Sequence, residues 1–99
     1  MKVSYSPRAV VQITQVFDYI AQDNPAAANA FLLGLESIAS LLSGRPGIGR
    51  MTGKTGVQVI SLQPYRYLLF YKTLQGRNEI RIIRVRHMSR KDAADVRGL

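Results

Sequence analysis

Ninety-nine residues without cysteine, 46% hydrophobic and with 14 basic against 6 acidic side chains for a formal charge of +8, are expected to form one domain over residues 1–99 around a single core. The missing cysteines exclude a disulfide-stapled secreted fold and a thiolate zinc site, and with one histidine no metal centre or cofactor is expected. No run reaches ~18 consecutive apolar residues, since Ala26 to Leu42 is interrupted by Asn29, Glu36 and Ser37, and no apolar leader follows Met1, so the expectation is a cytoplasmic protein with no membrane partner.

Val3 and Tyr5 alternate with Lys2 and Ser4, which predicts a short first strand. Ser6 before Pro7 predicts a helix start, because serine caps free amides and proline at the first helical position has no amide to leave unbonded. Val10, Ile13, Phe17 and Ile20 then form an apolar stripe, so a helix is expected from Pro7 to about Gln22. Asn24 and Pro25 repeat the punctuation. Phe31, Leu35, Ile38 and Leu42 make the second stripe, ended by Gly44 and Pro46. The short connection makes the two helices an antiparallel hairpin, with Ala26, Ala27, Ala28 and Ala30 allowing close approach.

Glycines and a proline leave no period between Gly44 and Gly56, which reads as a loop. Three strands are predicted beyond it, over Val57 to Leu62, Arg66 to Lys72 and Ile80 to Val85, with breaks at Gln63-Pro64 and Gly76-Arg77-Asn78. Short connections make them an antiparallel meander, covered on one face by the helices. Ser89 and Asp92 resemble a capping box and predict a short carboxy-terminal helix. The fold class is therefore α+β, in the order β-α-α-β-β-β.

Charge is segregated. Residues 1–44 balance at −1, whereas residues 45–99 hold twelve basic side chains against Glu79, Asp92 and Asp95, a balance of +9. A polyanion or an acidic protein surface is the expected partner; the alternative is charge that serves only solubility. On the last strand, alternation puts Ile83, Val85 and His87 on one side with Arg81, and Ile80 and Ile82 on the other with Arg84 and Arg86. Arg66 on the neighbouring strand can extend that cationic patch; the alternative is a solvated face paired with Asp92 or Asp95.

Gly53-Lys54-Thr55 is not a phosphate loop. That motif requires glycine at position 48, which is Ile48, and a strand before with a helix after. Arg50 and Lys54 on this loop can still reach an anion, or serve as solvated charges on a connector. His87 falls at the end of the last strand and is of the side-chain type that exchanges protons near neutral pH; a structural hydrogen-bonding role is the alternative. The five tyrosines read as core or sheet packing, except that Tyr65-Arg66-Tyr67 can clamp a phosphate and stack a base.

Four segments in order, Arg8-Ala9 to Asp18-Tyr19-Ile20-Ala21, Asn24-Pro25-Ala26-Ala27-Ala28, Arg45-Pro46-Gly47-Ile48-Gly49-Arg50, and Tyr65-Arg66-Tyr67 through Phe70-Tyr71 and Ile83-Arg84-Val85 to His87-Met88-Ser89-Arg90, resemble the RelE/ParE superfamily of toxins from bacterial toxin–antitoxin modules, and more closely its ParE branch. The resemblance implies a helical hairpin against a small antiparallel sheet. It further implies a toxin that poisons DNA gyrase by trapping a broken-DNA intermediate, with Arg50, Lys54, Arg66, Arg84, Arg86, Arg90 and Lys91 as its contact surface and no catalytic residue. The alternative within the superfamily is a RelE-like, ribosome-dependent endonuclease cutting mRNA, with Arg66 and Arg84 on the phosphate and His87 as acid or base. A non-toxic nucleic-acid-binding module is a third reading. The implied partner is a ParD-like antitoxin, through which operator DNA would be contacted. Two departures stand out: Gln12 where relatives often carry an acid, and Gln58 where they often carry an arginine, the latter bearing on potency.

Overall fold

The computed structural model describes residues 1–88 of the chain. In chain order these form β1 (Lys2–Tyr5), α1 (Pro7–Asp23), α2 (Pro25–Gly44), β2 (Arg50–Met51), β3 (Val57–Leu62), β4 (Tyr67–Leu74), a 3-10 turn (Gln75–Arg77) and β5 (Glu79–His87). The expected carboxy-terminal helix, with Ser89 and Asp92, lies outside the described residues, as do Arg90 and Lys91.

Both helices start where their caps predict. The Ser6 side chain accepts from the Ala9 amide at 3.1 Å and the Asn24 side chain from the Ala27 amide at 3.1 Å, each with proline in the first turn. The α2 stripe is as read, with Phe31, Leu35 and Leu42 buried and Ile38 packed beside them. The α1 stripe keeps Ile13 and Ile20 and runs through Ala9 and Val16 in place of Val10 and Phe17: Ala9 is fully buried, whereas Val10 is 50% exposed. By length and composition α2 is apolar enough to cross a bilayer despite Asn29, Glu36 and Ser37; in this fold its buried stripe rests on the sheet.

The sheet has five strands in the order β1-β5-β4-β3-β2 and is mixed, not purely antiparallel. The β3-β4-β5 meander is as predicted, but β1 runs parallel to β5, pairing Val3 with Ile80 and Tyr5 with Ile82. A parallel neighbour needs a crossover, and the helical hairpin supplies it. The stretch from Gly44 to Gly56 is not all loop, since Arg50 and Met51 pair with Val59 and Gln58 as an edge strand.

A bulge organises β5. Phe70 pairs with Arg84 and Tyr71 with Ile82, leaving Ile83 as the extra residue. This overturns the face assignment from simple alternation. Ile80, Ile82 and Val85 all join the helix-side core with Leu62, Leu69 and Tyr71, while Ile83 packs with Val57, Val59, Leu68 and Phe70 in a smaller cluster on the opposite face, open only in the sense that the helices do not cover it.

β5 outruns β1, so its backbone finds partners at Ser6, the cap of α1, and on α1 itself. The Ser6 hydroxyl donates to the Ile83 carbonyl at 3.3 Å, and the Gln12 side chain accepts from the Val85 amide at 2.7 Å. Gln12 therefore supplies the acceptor oxygen that an acidic residue would supply, and closes the β5 backbone account.

Candidate functional site

The register sets the open face in cross-strand rows. One row runs Arg50, Val59, Phe70, Arg84 across β2, β3, β4 and β5, a span of about 14 Å at the usual strand spacing. Beside it lie Leu68 with Arg86 on one flank, and Val57, Lys72, Arg81 and Ser4 on the other. The result is a guanidinium and ammonium rim around an apolar floor whose Val57, Val59 and Phe70 are themselves buried. Arg86 sits over the Phe70 ring at 5.6 Å and donates to the His87 carbonyl at 3.0 Å, so its charge is held against the floor. Arg84 is only 3% exposed. Alternation from Phe70 was signal enough to find Lys72; Arg81 joins this face only because of the bulge.

Glu79 is the acid on this face among the described residues, since Asp18, Asp23 and Glu36 lie on the helices. It is buried, accepts from the Ser4 hydroxyl, and pairs with Arg81 at 3.1 Å. The Ser4 hydrogen bond is the largest influence holding its carboxyl below the ordinary range, followed by burial, which opposes it, and then by Arg81 and Lys2. Arg81 is thereby engaged within the protein. Arg50 remains exposed on the edge strand.

Lys54 lies in the turn after β2, where its amide donates to the Thr52 hydroxyl at 3.1 Å and that hydroxyl donates to the Val57 carbonyl at 2.9 Å. Arg66 sits at the other end of the sheet, in the turn from β3 to β4, with its carbonyl accepting from the Met88 amide at 2.8 Å. Its φ of 61° is left-handed, a conformation costing a non-glycine residue roughly 1–2 kcal/mol. The flanking rings are not a stacking platform. Tyr65 and Tyr67 both meet Phe31 edge to face, at 5.9 and 5.7 Å, as part of the core.

His87 lies on the helix side. It pairs with Tyr67 across the strands and meets that ring edge-on at 5.1 Å, on the same face as Val85 and away from Arg84 and Arg86. The cationic row and the imidazole are thus on opposite sides of one strand.

Gln58 also points to the helix side, opposite Tyr71. Its Nε2 donates to the Gly49 carbonyl at 3.0 Å. The Tyr71 hydroxyl accepts from the Gly49 amide at 2.9 Å and donates to the Pro46 carbonyl at 2.9 Å. Burial pushes the Tyr71 phenol above its ordinary 10.0, partly countered by the Gly49 amide. Sequence reasoning missed this clamp, because nothing in the local pattern of residues 45–49 indicates a phenol from β4.

Two helices packed on a five-stranded mixed sheet with an amino-terminal strand match the fold of the RelE/ParE class of small toxins. The isolated RelE toxin of E. coli superposes with a TM-score of 0.64 at 14% identity, over 97% of this chain and 93% of that one. A chain of the chromosomal ParDE toxin–antitoxin system of P. aeruginosa superposes with a TM-score of 0.77 at 17% identity, over 90% and 97% of the two chains. In sequence, residues 3–92 match the family described as the ParE toxin of the type II toxin–antitoxin system parDE. Toxin RelE2 of Caulobacter vibrioides is 32% identical over 89 residues, covering 90% of this chain and 97% of its own. The chain belongs to the ParE toxin family of type II toxin–antitoxin systems, within the RelE/ParE superfamily.

Proposed function

We propose that this toxin poisons DNA gyrase by docking its cationic sheet face and trapping the cleaved-DNA intermediate, and that a ParD-like antitoxin neutralises it in the cytoplasm. One observation carries the reading: His87 lies on the helix side of β5 while Arg84 and Arg86 lie on the open side. RNA cleavage requires an acid, a base and a charge stabiliser within ~3 Å of one phosphodiester. Poisoning requires only a complementary surface, and exposed Arg50 with half-buried Lys72 and Arg86, set around the buried Val59, Phe70 and Arg84, offers the charge for one. The same surface suits an acidic, amphipathic antitoxin segment that orders as it binds, with operator DNA contacted through the antitoxin.

The competing reading, an mRNA-cleaving enzyme on the ribosome using Arg66, Arg84 and His87, draws support from the identity to Toxin RelE2 and from the meeting of Arg66 and Met88 backbones beside His87. Purified protein added to a gyrase supercoiling reaction and to translating ribosomes separates the two. The expected outcome is lost supercoiling with accumulated cleaved DNA and intact message; cut message with normal supercoiling overturns the proposal. His87→Gln should keep growth arrest at the parental level, whereas Arg86→Ala should weaken it about tenfold, the scale of one charge-assisted contact.

A further inference from the structure

We infer that Tyr71 and Gln58 are positioning residues that set Arg50 on the docking face from the opposite side of the sheet. This rests on the reading that the open face docks the target. β2 is two residues long, and so short an edge strand does not hold its own geometry. What fixes it is the residue before it. Gly49 is held at both polar groups, its amide by the Tyr71 hydroxyl at 2.9 Å and its carbonyl by Gln58 Nε2 at 3.0 Å. That carbonyl belongs to the rigid peptide plane joining Gly49 to Arg50, so holding it fixes the plane from which the Arg50 Cα leaves.

The approach is close enough to require glycine. A Cβ at position 49 would lie 2.5 Å from the Tyr71 hydroxyl oxygen and 2.9 Å from the Val59 carbonyl oxygen. Tyr71 also ties the Pro46 carbonyl, so the turn from α2 is anchored at two points. A buried ring at position 71 could pack without a hydroxyl; the hydroxyl serves the loop. Arg50 is then presented opposite Val59, at the end of the row that finishes with Arg84.

The test uses the full chain with Tyr71→Phe, Gln58→Ala, Arg50→Ala and the two double variants with Arg50→Ala. Two readouts are taken: amide hydrogen exchange, and growth arrest on expression without antitoxin, which reports potency whatever the target. Exchange at Gly49, Arg50 and Met51 should accelerate in Tyr71→Phe and Gln58→Ala while β4 and β5 stay protected. Potency should fall in each toward the level of Arg50→Ala, about tenfold on the scale of one charge-assisted contact, and the double variants should fall no further. Losses that multiply in the double variants, unchanged potency, or unchanged exchange at Gly49 to Met51 overturn the inference. Gln58→Ala keeps the Tyr71 packing and so stands if Tyr71→Phe does not fold. Normal supercoiling with arrest intact would count against the gyrase reading alone, and the exchange readout reports on the clamp by itself.

Discussion

Gln12 and Gln58 show what single residues concealed in the sequence. Both are polar residues of unassigned purpose in the chain, and each proves to be a hydrogen-bonding group directed away from the cationic face: Gln12 toward the Val85 amide and Gln58 toward the Gly49 carbonyl. Their partners are backbone groups brought in by folding, which no residue spacing encodes. Glu79 is the counter-case, a charge whose surroundings fix the sign of its effect. In the unfolded chain its carboxyl titrates at its ordinary value, 4.5, and in the fold the Ser4 hydrogen bond and the charges of Arg81 and Lys2 hold it lower against burial. Below 4.5 the unfolded state therefore binds more protons. The stabilisation is complete above that value and is lost as pH falls through the folded one. Urea midpoints measured from neutral pH downward should show this acid-side loss in the parent and a shallower one in Ser4→Ala. Parallel acid limbs in the two proteins would refute the assignment.

At the scale of elements, the helices were legible because their ends are written in local chemistry, Ser6-Pro7 and Asn24-Pro25, and because a long stripe averages over single errors. On α1 the stripe still took Val10 and Phe17 for Ala9 and Val16, since an alanine weighs little in any hydrophobic pattern although Ala9 is fully buried. β3 was read to the residue from its β-branched run. The parallel docking of β1 and the edge strand β2 were not legible, as both depend on pairing between distant segments. β5 lies between these cases. Its run Ile80-Arg81-Ile82-Ile83-Arg84-Val85 breaks alternation once, and that break is the bulge itself. Inserting Ile83 keeps Val85 on the core side and Arg84 on the open side. Deleting Ile83 leaves Ile80-Arg81-Ile82-Arg84-Val85-Arg86 in strict alternation, so Arg84 stays opposite Phe70 and Val85 stays in the core without a bulge. The expected result is a transition that remains cooperative, with stability lowered by roughly 1–2 kcal/mol for the lost packing of Ile83 against Val57, Val59, Leu68 and Phe70. Thermal melting followed by circular dichroism checks it; loss of cooperative unfolding would show that the bulge itself, and not the alternation, is required by the sheet.

Across the whole molecule, charge follows the layers of the fold. The helices carry the acids Asp18, Asp23 and Glu36, while Lys2, Arg50, Lys72, Arg81, Arg84 and Arg86 share the open sheet face. The imbalance was visible from counting residues along the chain, but its concentration on one side required the sheet register. A net +8 steers the protein toward any polyanion, and that long-range attraction does not distinguish one arginine from another. Short-range docking does. Arg77 lies in the exposed turn between β4 and β5, whereas Arg50 ends the row facing Phe70 and Arg84, so Arg77→Ala and Arg50→Ala remove equal charge from unequal places. Both should slow association with the proposed target, the gyrase–DNA complex, by a similar small factor that vanishes at high ionic strength. Only Arg50→Ala should also speed dissociation, by about tenfold on the scale of one charge-assisted contact. Rate measurements at low and high salt test this directly, and equal dissociation rates for the two variants would mean that the protein is held by its overall field and not by the sheet face.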